Sequence, residues 1–193
     1  MSAKIGKRVW VTERPQGLPQ KTMLIGIDFY HKLVSKKKTC IGVVATMDKD
    51  FTQYYSRTLI TTPGEQQVKG LQEIMQDCVQ QYYKQNKQSF PETIIVYRDG
   101  LGDSQIGPII NSEINAIKSC LTSIHQQYQP QLAYIVINKK INQRFFSTQA
   151  QGGAGRGGKG RTQSMQNPES GTVVSEVITS PFFDFFLSAQ QVT

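Results

Sequence analysis

An α/β fold with a mixed sheet, three antiparallel strands followed by parallel ones and flanked by helices, is what this sequence predicts. Three observations carry that expectation. Runs of β-branched and aromatic residues follow one another closely between residues 23 and 62. Two later segments repeat apolar residues at spacings of three and four, and each is followed by another strand-like run.

Taken in order, Met23–Tyr30 reads as a first strand, Thr39–Met47 as a second and Gln53–Thr62 as a third. Their immediate succession predicts an antiparallel meander. Pro63-Gly64 breaks the chain. Val68, Leu71, Met75, Cys78, Val79 and Tyr82 then form a helical stripe, in which Gly70 is the one weak helix former. After Pro91 comes a fourth strand, Thr93–Tyr97, and then a second helix with Ile110, Ile114, Ile117, Leu121 and Ile124 on one face. Pro130 is expected to close it, ahead of a fifth strand over Leu132–Ile137. Strand–helix–strand units cross over right-handed and pair their strands in parallel. This is the element order of the ribonuclease H-like fold, in which the first and fourth strands lie side by side.

The flanks read differently. Residues 1–22 are polar, contain Pro15 and Pro19, and have the character of a linker, which leaves residues 23–193 for the domain. Residues 147–170 include the run Gln151-Gly-Gly-Ala-Gly-Arg-Gly-Gly-Lys-Gly-Arg161, which cannot bury apolar surface and is expected to be a disordered loop. It is either a plain insertion or a non-specific contact for RNA. Strand character returns in Thr172–Thr179 and Phe182–Leu187. With only a few residues between the latter and Thr193, no later element is left to pair with it, so the sequence reads as a domain incomplete at its C-terminus.

With 193 residues the chain is long enough for one well-cored domain. No apolar run approaches the ~20 residues that span a bilayer, and the N-terminus has no signal-peptide core, so no membrane partner is expected. Cys40, Cys78 and Cys120 lack metal-ligand spacing and sit on the apolar side of their segments. Reduced core packing in an intracellular protein is expected of them. The net charge of +8 comes from 22 Lys plus Arg against 14 Asp plus Glu. It gathers in Lys36–Lys38, in Lys139, Lys140 and Arg144, and in Arg156, Lys159 and Arg161. Such clusters form either a solvated basic surface or a footprint for a polyanion, most often nucleic acid.

Two aspartates end apolar strands, Asp28 and Asp99. If those strands are neighbours, two unit charges ~4 Å apart repel by ~4 kcal/mol at an effective dielectric near 20. Either each Asp merely caps its own turn, or the pair holds a divalent cation through oxygen ligands, an arrangement suited to phosphodiester chemistry.

Six segments in order make the chain resemble the PIWI domain of the Argonaute/Piwi family, closer to its Piwi branch. They are Ile25-Gly-Ile-Asp-Phe-Tyr-His31, Ile94-Ile-Val-Tyr-Arg-Asp-Gly-Leu-Gly-Asp103, Tyr134-Ile-Val-Ile-Asn-Lys-Lys140, Gln143-Arg-Phe-Phe146, Gly171-Thr-Val-Val174 and Asp184-Phe-Phe186. The start of the chain is similar to the segment that joins the guide-anchoring MID domain to PIWI. The resemblance implies a small guide RNA paired with a target RNA, MID and PAZ modules elsewhere in the parent protein, and two Mg²⁺ ions (Mn²⁺ as a substitute) for endoribonuclease chemistry. It also implies that Asp28 and Asp99 match the first and third members of the family's catalytic tetrad, with Asp28 bridging. The second member is a glutamate in the family; its position falls on Gln66, with Glu65 one residue away. The fourth lies beyond Thr193, and neither His31 nor His125 matches it. By the same resemblance Lys139, Lys140 and Arg144 lie along the nucleic-acid backbone. Arg98, next to Asp99, is expected to make a structural ion pair, and Tyr30 and Tyr97 to belong to the core. The alternative to a cutting enzyme is a module that holds guide and target without cleavage, and the 193 residues by themselves are expected not to cut RNA.

Overall fold

The computed structural model describes residues 8, 10–30, 38–62, 65–100, 106–139, 141–150, 163–179 and 184–189. They divide into two compact units, residues 1–139 and 140–193.

In the first unit, β1 (Thr22–Tyr30), β2 (Thr39–Thr46) and β3 (Tyr54–Thr61) form the expected meander. α1 (Glu65–Gln85), β4 (Thr93–Asp99), α2 (Ile106–Ile124) and β5 (Gln131–Ile137) follow. The five strands lie in the order β3-β2-β1-β4-β5, with β1–β4 and β4–β5 parallel. This is the ribonuclease H-like arrangement that the element order predicts, with β1 central.

Strand side chains alternate between two faces. One face carries Met23, Ile25, Ile27 and Phe29 from β1, Ile41, Val43 and Ala45 from β2, and Ile94 and Val96 from β4. Against it α1 lays Leu71, Ile74, Met75, Cys78, Val79 and Tyr82, and α2 lays Ile117, Cys120 and Leu121. Gly70 has a reason to be in α1: a Cβ there would come within 2.6 Å of the Leu59 side chain on β3, so the glycine sets how closely helix and strand approach.

The opposite face is open, and here expectation and structure part. Tyr30 is 55% exposed and Tyr97 37%, so neither belongs to the core. A run of apolar residues reads as buried on both sides, whereas both tyrosines fall on the uncovered face, Tyr30 alternating with Phe29 and Tyr97 with Val96. Cys40 lies on the same face and is half-buried, while Cys78 and Cys120 are in the core as expected. The end of α2 also differs. It stops at Ile124 rather than at Pro130, and the His125 ring accepts the Gln127 amide through Nδ1 at 3.2 Å, turning the chain before the proline is reached.

Burial pushes the Cys78 thiol up to about 12, with the Asp77 carboxylate adding to the effect, and Cys120 up to about 11. Both remain protonated at pH 8, and the thiolate is the reactive form. A thiol-exchange reagent at pH 8 should therefore modify Cys40 readily and the other two only after denaturant is added. Rapid modification of all three thiols in native protein would contradict this packing.

In the second unit, β6 (Ser147–Ala150) pairs antiparallel with β7 (Gln163–Gln166), and β8 (Thr172–Val174) with β9 (Phe186–Ser188). These pairs correct three expectations. The ends of the segment expected to be disordered form a hairpin; residues 151–162 between them lie outside the described residues. The strand expected to run to Thr179 ends at Val174, and Val177 takes a positive φ of 71° that no strand accommodates. The apolar stretch expected to lack a partner has one in β8, which precedes it in the chain.

Candidate active site at the carboxyl end of the sheet

The parallel register of β1 and β4 runs Ile25↔Val96, Gly26↔Tyr97, Ile27↔Arg98. One step further it sets Asp28 beside Asp99. Both are on the face away from the helices, on strands whose usual spacing is ~4.8 Å. Asp28 is exposed and the Asp99 side chain is 39% exposed. Water therefore screens the pair, and holding both charges costs less than the ~4 kcal/mol expected at an effective dielectric near 20.

The face around Asp28 is kept low by glycine. Gly26 precedes it by two residues, and Gly42 is its cross-strand partner on β2. A Cβ at either glycine would meet nothing closer than 4.0 Å, which leaves open space beside the carboxylate. At the end of β4 the chain turns away through Gly100, whose φ of +46° suits glycine, and the Gly100 amide donates to the Ile137 carbonyl at 2.9 Å. Asp99 is thereby fixed at the mouth between β4 and β5.

The counter-charge in this structure is Lys139, two residues past the end of β5. Its Nζ lies 2.8 Å from Asp99 Oδ2. The hydrogen bond and charge of Asp99, with the charge of Asp28 adding, hold the Lys139 ammonium above its ordinary value. This pairing has no signature in the sequence, because the two residues are 40 positions apart.

Beneath the site is a buried ion pair. Arg98 Nε lies 3.2 Å from Glu113 Oε2, with side chains 3% and 4% exposed. The Arg98 guanidinium is 4.1 Å from the centre of the Phe29 ring and donates to the carbonyl of Asp99. The Tyr134 hydroxyl donates to Glu113, and burial, then the Glu113 carboxylate, push its ionisation well above the ordinary range. The structural ion pair expected of Arg98 is thus present. Glu113, its partner, escaped the sequence reading, although a signal existed: it lies three residues after Ile110 and four before Ile117, on the apolar stripe of α2.

The other sequence-selected positions are placed as follows. Glu65 and Gln66 begin α1, at the same end of the sheet as Asp28, because β3 ends where β1 ends; their side chains lie outside the described residues. Lys140, His31 and residues 190–193 also lie outside them. Arg144 belongs to the second unit and lines a groove of about 230 Å³ there, with Phe145, Asn167 and Phe186 among its walls.

A model of the Piwi domain matches residues 1–193, the whole of the sequence. The chain belongs to the Piwi domain family. It is 36% identical over 193 residues to Piwi-like protein 1 of Gallus gallus and 33% identical to Piwi-like protein 3 of Homo sapiens, covering 100% of this chain and 20% of each relative. The chain thus spans about a fifth of the length of the curated relatives it matches. The crystal structure of Drosophila Piwi superposes with a TM-score of 0.67 at 26% identity, over 95% of this chain and 22% of that one. Kluyveromyces polysporus Argonaute with a guide RNA gives a TM-score of 0.66 at 23% identity, over 82% of this chain and 18% of that one, a likeness of fold.

Among the described residues, two carboxylates stand at this end of the sheet beside open space. Among the described residues no three His, Cys, Asp or Glu side chains come together. Two carboxylates suit a hard divalent cation of the Mg²⁺ kind, which commonly takes one or two such ligands and completes its shell with water and substrate phosphate. No helix among the described residues is long and apolar enough to cross a membrane.

Proposed function

We propose that this Piwi domain takes part in small-RNA-guided silencing. It would hold a guide RNA and its complementary target against the carboxyl end of the sheet, as part of a protein that also carries MID and PAZ modules. The observation that carries this reading is the pair Asp28 and Asp99, side by side on adjacent parallel strands with the Lys139 cation next to them. The similarity in fold to Kluyveromyces polysporus Argonaute, solved with a guide RNA, supports an RNA partner. The three free thiols suit a reducing intracellular setting.

In this reading Asp28 and Asp99 hold the divalent cation, Mg²⁺ or Mn²⁺ in its place, with Glu65 or Gln66 at the start of α1 as the further contributor. Bound there, the metal would supply electrostatic stabilisation of charge developing on a phosphodiester. The chain's own residues do the rest. Lys139, Lys140 and Arg144 attract and orient the phosphate backbone without reading sequence, which is left to base pairing with the guide. Arg98, fixed by Glu113, holds the backbone of Asp99 and so the position of its carboxylate. A second reading, a module that binds without cutting, is favoured by Gln66, a neutral side chain where a carboxylate is expected.

The deciding experiment incubates guide-loaded full-length protein with a matched target in Mg²⁺. Cleavage that disappears in Asp99→Ala supports the first reading. Guide-dependent binding without cleavage supports the second, and failure to bind RNA at all overturns both.

Binding should also be salt-sensitive. If Lys139, Lys140, Arg144 and a few other cations neutralise ~6 phosphates, log K for single-stranded RNA should fall against log salt with a slope of about −4. Fluorescence anisotropy across salt concentrations measures it, and a flat response would show that these cations do not neutralise phosphates.

A further inference from the structure

We propose that Lys139 is an internal cation that occupies Asp99 until a nucleic-acid phosphate draws it away, so that divalent-cation binding and nucleic-acid binding at this end of the sheet reinforce one another. The inference rests on the reading of Asp28 and Asp99 as the metal pair.

The geometry supplies the competition. Lys139 Nζ is 2.8 Å from Asp99 Oδ2, so a carboxylate oxygen that would face a metal is engaged by an ammonium. The charge of Asp28 adds to the pull on the same ammonium. Two carboxylates and one ammonium leave a net charge of −1. A divalent cation added with Lys139 in place would bring the cluster to +1, and with Lys139 gone, to zero. The two cations therefore compete for the pair.

The pair is also built to exchange. Its side chains are 70% and 39% exposed, unlike the Arg98–Glu113 pair beneath, at 3% and 4%. An exposed Lys–Asp bridge is weak and its partners are readily replaced. Lysine carries its charge on a flexible four-carbon stem, and Lys139 lies beyond the last residue of β5, where the ladder no longer holds the chain. A phosphate of the backbone offers that ammonium another anion and releases Asp99 to the metal. By linkage, whatever factor the phosphate adds to metal affinity, the metal adds to nucleic-acid affinity.

The test measures Mn²⁺ binding to the full-length protein by the loss of the free-ion electron paramagnetic resonance signal, with and without a single-stranded RNA oligonucleotide. For the unmodified protein, RNA should tighten Mn²⁺ binding about fivefold or more, the usual lower range of site coupling. Lys139→Gln should tighten it without RNA, and RNA should then add clearly less than it adds to the unmodified protein. Lys139→Arg, which keeps the charge, should restore weak binding in the absence of RNA. Unchanged or weaker Mn²⁺ binding in Lys139→Gln, or an RNA effect as large in it as in the unmodified protein, overturns the proposal, because the gain would then owe nothing to the release of Lys139. Asp99→Asn separates the two levels. If it abolishes Mn²⁺ binding while Lys139→Gln changes nothing, only the coupling fails. If Mn²⁺ binding does not depend on Asp99, the metal reading fails and the coupling with it.

Discussion

Replacing Glu113 with alanine should destabilise the domain by about 3–5 kcal/mol, the usual result of removing one partner from a buried ion pair. Arg98 and Glu113 are 3% and 4% exposed, so the stranded guanidinium cannot reach water without opening the interface between α2 and the sheet. Tyr134, a half-buried residue, would lose its acceptor at the same time, which adds to the cost. Against a total stability of ~5–15 kcal/mol for a domain of ordinary size, that is a large fraction. Urea unfolding followed by circular dichroism measures it. A midpoint unchanged from that of the unmodified protein would show that the pair is replaceable. Glu113→Gln, which keeps a hydrogen-bond acceptor for Tyr134 and Arg98, should cost less than the alanine variant.

The exposed acids should behave in the opposite way. Asp28→Asn and Asp99→Asn should each leave the unfolding midpoint almost unchanged, since substitutions at solvent-facing positions usually fall within about 0.5 kcal/mol. In full-length, guide-loaded protein that cleaves a matched target, each should lower the rate by at least ~10²-fold, the scale on which misplacement of a reacting group by ~1 Å is felt. The double variant should be no slower than the worse single one, because groups that act as a unit do not contribute additively. Single-turnover cleavage assays provide the comparison. Full activity in Asp28→Asn would remove that residue from the reaction, and the strand-end aspartates would then be caps and nothing more.

Much of this fold was legible because its signals are local. Apolar spacing of three and four placed both helices, and runs of branched residues placed all five strands of the main sheet to within a residue or two. Their order implied that β1 and β4 are neighbours, and the position of each aspartate at the end of its strand then implied the pair. What escaped depended on which face a residue took. Tyr30, Tyr97 and Cys40 sit within apolar runs, and only the covering of a single face by α1 and α2 decides that they point away from the core. The short strands β8 and β9 pair across more than ten residues of chain, and β6 and β7 close around a glycine-rich segment; neither pairing follows from composition.

The sequence by itself determined the ribonuclease H-like element order, the Piwi family and the two aspartates at the sheet's end. Each of these is written in residue type and spacing along the chain. Only the tertiary structure decided which cation answers those aspartates and what holds the strand beneath them. Lys139 meets Asp99 across 40 residues, and Glu113 of α2 reaches Arg98 of β4 across 15. Charges pair by distance in space, and that distance exists only once the parallel strands and the helix between them have packed.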